Sequence, residues 1–173
     1  MKEYETKVLD INQEEVEKKL ADLGSERIHE VLQRRWVFDI NPEAHEWIRL
    51  RDDGIKTNIT YKKKTGTGIS ETEEIEVEVD DFEKARKILS AMDFKGKYYQ
   101  ENKRILYKLD DIEFTIDKWP NIPTLLEIES TSEEKVRKGL EMIGMKDAGN
   151  LSVKEVYKKY GIDLHSVRVL TFE

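Results

Sequence analysis

Arg49 and Arg51 flank Leu50, and Glu74, Glu76 and Glu78 flank Ile75 and Val77, so charged and apolar residues alternate at a period of two. That spacing puts the charges on one face of a β-strand and the apolar side chains on the other. The same sorting sets Glu3, Glu5 and Lys7 against Tyr4, Thr6 and Val8, and Thr60 and Lys62 against Ile59 and Tyr61. It also sets Glu113, Thr115 and Asp117 against Ile112, Phe114 and Ile116, and Glu127 and Glu129 against Leu126 and Ile128. A sheet with one wet face accounts for any single strand of this kind. It accounts less well for the set, because acids and bases are segregated strand by strand. If the sheet curls until it closes, the charged face becomes a tunnel lining, and like charges enclosed there require bound counter-charges.

The alternation predicts strands over residues 2–9, 27–39, 46–52, 57–64, 73–79, 100–108, 111–118 and 124–130, mostly antiparallel neighbours. Helical spacing and start signals predict four helices. Asn12 with Glu15 opens the first, which buries Val16, Leu20 and Leu23 before Gly24. Asp80 or Asp81 opens the second, with Phe82, Ala85, Ile88, Leu89 and Met92 inward. Thr131 with Glu134 opens the third, carrying Val136, Leu140 and Ile143, and Ser152 with Glu155 opens a short fourth with Val156 and Tyr160 on one face. The fold class is therefore α+β. The 173 residues suit one domain spanning 1–173.

Charged residues make up 39% of the chain against about 25% in ordinary globular proteins, yet the net charge is −7. That balance argues against a nucleic-acid binder that depends on phosphate-backbone attraction. It leaves room for a small anion in a local basic pocket. The absence of cysteine removes thiolate ligands and cysteine nucleophiles and suits a reducing compartment, with the cytoplasm as the expectation. No apolar run is long enough for a membrane span or a signal peptide.

Arginine and lysine in a lining suit a phosphate chain, the first bidentately and the second as a compact charge. Carboxylates two residues apart suit Mg²⁺ or Mn²⁺, hard ions that bridge protein oxygens to phosphates. Other signals stay bland. Gly66-Thr67-Gly68 follows its lysines and opens no helix, so it reads as a hairpin loop over the tunnel mouth and not as a phosphate loop. His29, His45 and His165 have no paired spacing and read as surface histidines, and Trp36, Trp47 and Trp119 as packing residues.

Glu3-Tyr4-Glu5-Thr6-Lys7 resembles the Glu-x-Glu-x-Lys opening of the CYTH family, the triphosphate tunnel metalloenzymes that include class IV adenylyl cyclases, thiamine triphosphatases and tripolyphosphatases. Trp47-Ile48-Arg49-Leu50-Arg51, Thr60-Tyr61-Lys62, Glu74 to Glu78, Arg104 with Tyr107, Asp117, and Leu126 to Glu129 follow in the family's order across nearly the whole chain. The resemblance implies an eight-stranded antiparallel β-barrel, the triphosphate tunnel, with helices packed outside. It implies a triphosphate bound by Lys7, Arg49, Arg51, Lys62 and Arg104. It also implies Mg²⁺ or Mn²⁺ held by Glu3, Glu5, Asp117, Glu127 and Glu129, with Glu76, Glu78 and Lys62 at the chemistry.

The chain departs from the family's pattern at Asn102, where a lysine is common, and at Arg35, near a position that is often Asp. Trp119-Pro120-Asn121-Ile122-Pro123 replaces a Gly-rich turn. Only Met1 and Lys2 precede Glu3, which leaves no room for the His-Phe pair that some class IV cyclases carry there. The expectation is hydrolysis of a phosphoanhydride of a nucleoside triphosphate, thiamine triphosphate or tripolyphosphate. Class IV adenylyl cyclase and a non-catalytic triphosphate or polyphosphate binder are the alternatives. The partner is a small-molecule triphosphate, with no nucleic acid and no membrane, and a homodimer is left open.

Overall fold

The computed structural model describes residues 2–41, 43–64, 70–94, 96–164 and 166–172; of Lys2, Glu3, Ser70, Glu71 and Thr72 it describes the backbone. The expected hairpin loop at Gly66 to Gly68, the residue His165 and the side chain of Glu3 lie outside the described residues.

The elements run β1 (Lys2–Val8), α1 (Gln13–Asp22), β2 (Glu26–Asn41), β3 (Glu46–Asp52), β4 (Thr57–Lys64), β5 (Ser70–Val79), α2 (Phe82–Ala91), β6 (Gly96–Leu109), β7 (Ile112–Lys118), β8 (Leu125–Ser130), α3 (Glu133–Ile143), α4 (Val153–Lys159) and β9 (Val169–Leu170). Within the sheet the order is β2-β3-β4-β5-β1-β8-β7-β6, and β6 pairs back onto β2 along most of its length. Each of these eight strands thereby has two antiparallel partners, and the sheet closes on itself as an antiparallel barrel. The two-residue strand β9 adds in parallel beside Tyr99 and Gln100 and carries too little alternation to be read from sequence.

Period-two sorting decides what lies outside. Val8, Ile105, Tyr107, Ile112, Phe114, Ile116, Leu126 and Ile128 turn outward and meet Val16 and Leu20 of α1 and Val136 and Ile143 of α3. Gly139 permits this contact, because a Cβ there would stand 2.9 Å from Cγ2 of Ile128. Phe38 and Leu50 meet Phe82, Ala85 and Leu89 of α2 in a second core, and Trp119 and Leu125 meet Val156 and Tyr157 of α4 in a third.

Three local expectations need correction. Ile88 and Met92 of α2 are 64% and 49% exposed, because the helix rests on β3 through the narrower stripe Phe82-Ala85-Leu89. The cap of α3 is Ser132, whose side chain accepts from the Lys135 amide, and not Thr131. Ile75 and Val77 of β5 point outward but stay exposed, so the helices do not cover this part of the barrel. Asn12, Asp81 and Ser152 cap α1, α2 and α4 through the amides three residues on, and Ser152 with Glu155 forms a complete capping box.

Candidate functional site

The barrel encloses a cavity of about 370 Å³ whose lining includes Glu5 and Lys7 of β1, Arg49 and Arg51 of β3, Lys62 of β4, and Arg104 of β6. Glu74 and Glu76 of β5, Asp117 of β7, and Glu127 and Glu129 of β8 line the same space. The ladders explain the convergence. Arg49 stands opposite Thr60, which stands opposite Glu76; Lys7 stands opposite Glu127, and Glu5 opposite Glu129. Inward residues on neighbouring strands thus form continuous rows. Lys103, one residue from Arg104, is exposed on the other face, as the alternation requires.

The rows are coupled electrostatically. The Lys7 ammonium lies 2.7 Å from a Glu127 carboxylate oxygen and 3.7 Å from Glu5. Burial opposes its charge, but Glu127 and Glu5 more than compensate and raise it above the ordinary lysine value. The same pairing acts on Glu127: burial pushes its carboxyl up, and Lys7 and Arg104 together hold it well below the usual range. Arg104 donates from Nε and Nη2 to the two oxygens of Asp117, at 2.9 and 2.6 Å, and Nη2 also reaches Glu127 at 3.4 Å.

The basic wall on β3 and β4 is different. Arg51 is pushed down first by Arg49 and then by burial, and Arg49 by burial and then by Arg104. A guanidinium keeps its proton, so both groups carry the cost of burial together with mutual repulsion. Nε of Arg49 and Nε of Arg51 are both buried without a hydrogen-bond acceptor. Lys62 pairs with Glu74, yet burial and then Arg49 push its ammonium down to about 8. This part of the lining carries more positive charge than its own acids neutralise.

Of the acids, Glu5, Glu127 and Glu129 each offer a carboxylate oxygen within 4.8 Å of the others. An all-carboxylate group of that size matches the donor set of a hard divalent cation. Glu113 sits opposite Glu129 on the adjacent strand and lines the cavity, extending the acidic row across β1, β8 and β7. Asp117 stands apart from this group, against Arg104 and Asn102. Glu76 accepts from Asn58 and Thr60 at 2.7 and 2.9 Å at the edge of the cavity. Glu78, opposite Asn58, is exposed and is not part of the lining.

Several lining residues were not legible as site residues. Glu74 belongs to the acidic stretch of β5 that resembles the family's, but the sequence assigns it no role of its own, and it pairs with Lys62 in the lining. Trp47 shares the inward face of Arg49 and Arg51 and borders the cavity instead of packing in a core. Tyr98, Gln100 and Arg35 line it from the β2–β6 ladder, the closure that no local pattern announces. At the other side Lys154 of α4 reaches Asp39 at 2.7 Å and Glu155 reaches Lys64 at 3.1 Å, holding α4 against the barrel rim.

The CYTH domain family model matches residues 1–150. A Methanocaldococcus jannaschii protein provisionally named adenylate cyclase MJ0240 is 32% identical over 176 residues, covering 96% of this chain and 100% of that protein. Among solved structures, the PH1012 protein of Pyrococcus horikoshii OT3 aligns with a TM-score of 0.79 at 23% identity, over 88% of this chain and 98% of its own. A Pyrococcus furiosus protein aligns at 0.77 and 24% identity, over 88% of this chain and 99% of its own. Both structures share the fold. From the matched residues and this relative together, the chain belongs to the CYTH domain family.

Proposed function

We propose that this chain is a divalent-metal-dependent hydrolase that cleaves a phosphoanhydride bond of a triphosphate: a nucleoside triphosphate, thiamine triphosphate or tripolyphosphate. The observation that carries the reading is one cavity in which Lys7, Arg49, Arg51, Lys62 and Arg104 face Glu5, Glu127 and Glu129. The unpaired Nε groups of Arg49 and Arg51 are donors without acceptors, which phosphate oxygens would satisfy. Mg²⁺ or Mn²⁺ held by Glu5, Glu127 and Glu129 would supply Lewis-acid polarisation of the phosphoryl group when bound.

The chain's own residues then have distinct tasks. Arg49, Arg51 and Lys62 hold the phosphate chain in line across β3 and β4. Water attacks the terminal phosphorus, the bond to the bridging oxygen breaks, and that oxygen leaves carrying the negative charge beside the guanidinium groups. Glu76, which accepts hydrogen bonds from Asn58 and Thr60, orients the attacking water and takes its proton in this reading.

Adenylyl cyclase is the second reading, favoured by the name of the Methanocaldococcus jannaschii relative. In that reaction the ribose 3′ oxygen attacks the α-phosphorus and pyrophosphate leaves. Product analysis with ATP, thiamine triphosphate and tripolyphosphate, each with Mg²⁺ and with Mn²⁺, separates the two. ADP and orthophosphate from ATP support the hydrolase; cyclic AMP and pyrophosphate support the cyclase. Binding without turnover of any substrate would overturn both.

A further inference from the structure

Arg35 sits mid-strand in β2, opposite Arg51 on one side and Gln100 on the other. Its side chain faces the cavity and is only 6% exposed. Two other lysines line the cavity outside the proposed phosphate contacts, and each has a carboxylate: Lys64 has Glu155 and Lys154 has Asp39. Among the described residues, no carboxylate lies within ion-pair distance of Arg35. Its Nη2 donates to the neutral side chains of Gln33, at 2.9 Å, and Asn102. Its Nε is buried and has no acceptor.

The surroundings make this costly. After burial itself, the groups that most disfavour the Arg35 charge are Arg49, Arg104 and Arg51, with Asp117 opposing them weakly. A buried cation among like charges and without an anion is among the least favourable arrangements in a protein interior. The fork is nevertheless built in place. Its Cζ lies 4.8 Å from the centre of the Trp119 ring, a cation–π contact that helps hold the guanidinium in place, and its Nε–H is left unsatisfied.

We propose that Arg35 is a direct phosphate ligand of this chain, joining Arg49, Arg51 and Arg104 in a guanidinium cluster that receives one phosphate group, with the free Nε–H of Arg35 as one of its donors. The inference rests on the triphosphate reading above and adds to it a binding residue on β2. Gln33 and Asn102 anchor Nη2, Trp119 lies against the group, and the remaining Nε–H meets the anion. A charged hydrogen bond of this kind corresponds to roughly tenfold or more in affinity.

The test is calorimetric titration of inorganic tripolyphosphate, in metal-free buffer so that no turnover occurs, into the wild-type chain and Arg35→Gln. Affinity is expected to fall at least about tenfold in the variant, while its melting temperature without anion is unchanged or higher, since a repelled charge has been removed. Equal affinity in the two proteins would overturn the inference and leave the triphosphate reading standing. A wild type that does not bind tripolyphosphate would overturn the reading, and the inference with it. A second measurement does not depend on the variant folding well. The Arg35 Nε–H resonance of the wild type, assigned by its absence in Arg35→Lys, should shift on titration with tripolyphosphate. A resonance that stays in place while the anion binds would also overturn the inference.

Discussion

Arg104 grips Asp117 through two near-parallel hydrogen bonds, Nε to Oδ1 at 2.9 Å and Nη2 to Oδ2 at 2.6 Å, across the β6–β7 ladder where the two residues stand directly opposite. Asn102 adds a third donor to Oδ1 at 2.8 Å. Both oxygens of a carboxylate that is 2% exposed are therefore committed to side chains of β6. Asp117 thus fixes the direction in which Arg104 points into the cavity.

Asp117→Asn should then act as a structural change. It leaves Arg104 without its principal counter-charge, and losing one member of such a buried pair costs about 3 kcal/mol. Urea unfolding of the two proteins measures this as a lower midpoint at unchanged slope. A variant as stable as the wild type would mean that the fork contributes nothing to the fold.

Glu5 and Glu129 are directly opposite on β1 and β8, and like charges in that relation repel unless a cation lies between them. Replacing either by Gln removes a charge with little change in volume, so the fold should persist. Metal-dependent turnover should drop by about 100-fold or more. Glu127 is the poorer choice for this test, since Lys7 depends on it at 2.7 Å. Full activity in both Glu5→Gln and Glu129→Gln would remove the metal assignment.

Lys62, pushed down to about 8 by burial and by Arg49, makes binding pH-dependent. In the free protein its proton leaves as pH rises through about 8, whereas a bound polyanion holds the proton on. Binding above that pH therefore takes up a proton, and affinity for tripolyphosphate falls about tenfold per pH unit. Stability of the free protein has the opposite slope: between about 8 and the ordinary lysine value of 10.5 the unfolded chain holds more protons, so Lys62 destabilises less as pH rises. Calorimetry in two buffers of different ionisation enthalpy measures the uptake. Lys62→Met should abolish it, and unchanged uptake would place the proton on another group.

The sequence carried the inward face of the barrel because a strand's side-chain period is fixed by its backbone. Once Leu50 is core, Arg49 and Arg51 must share the opposite face, and the ladders then set each beside its neighbour. What it did not carry is the meeting of β2 with β6, which joins segments some seventy residues apart through long-range closure. Arg35 is visible as an odd residue on a strand, and the β2–β3 ladder sets it beside Arg51, but its approach to Arg104 depends on that closure. Ile88 shows the same limit on a helix. Helical spacing says which residues share a stripe, and only the packing partner says how wide the buried part of the stripe is.

The central claim, that the lining is built for a triphosphate, is tested most directly by melting the wild-type protein with tripolyphosphate and with orthophosphate at equal concentrations. Arg49, Arg51, Lys62 and Arg35 repel one another until an anion arrives, and a ligand that binds only the folded state raises its melting temperature by mass action. A chain of three phosphates spans several strands of the lining at once, so the account predicts a rise that is much larger for tripolyphosphate. Equal shifts with orthophosphate and tripolyphosphate would show a generic anion site and contradict the claim.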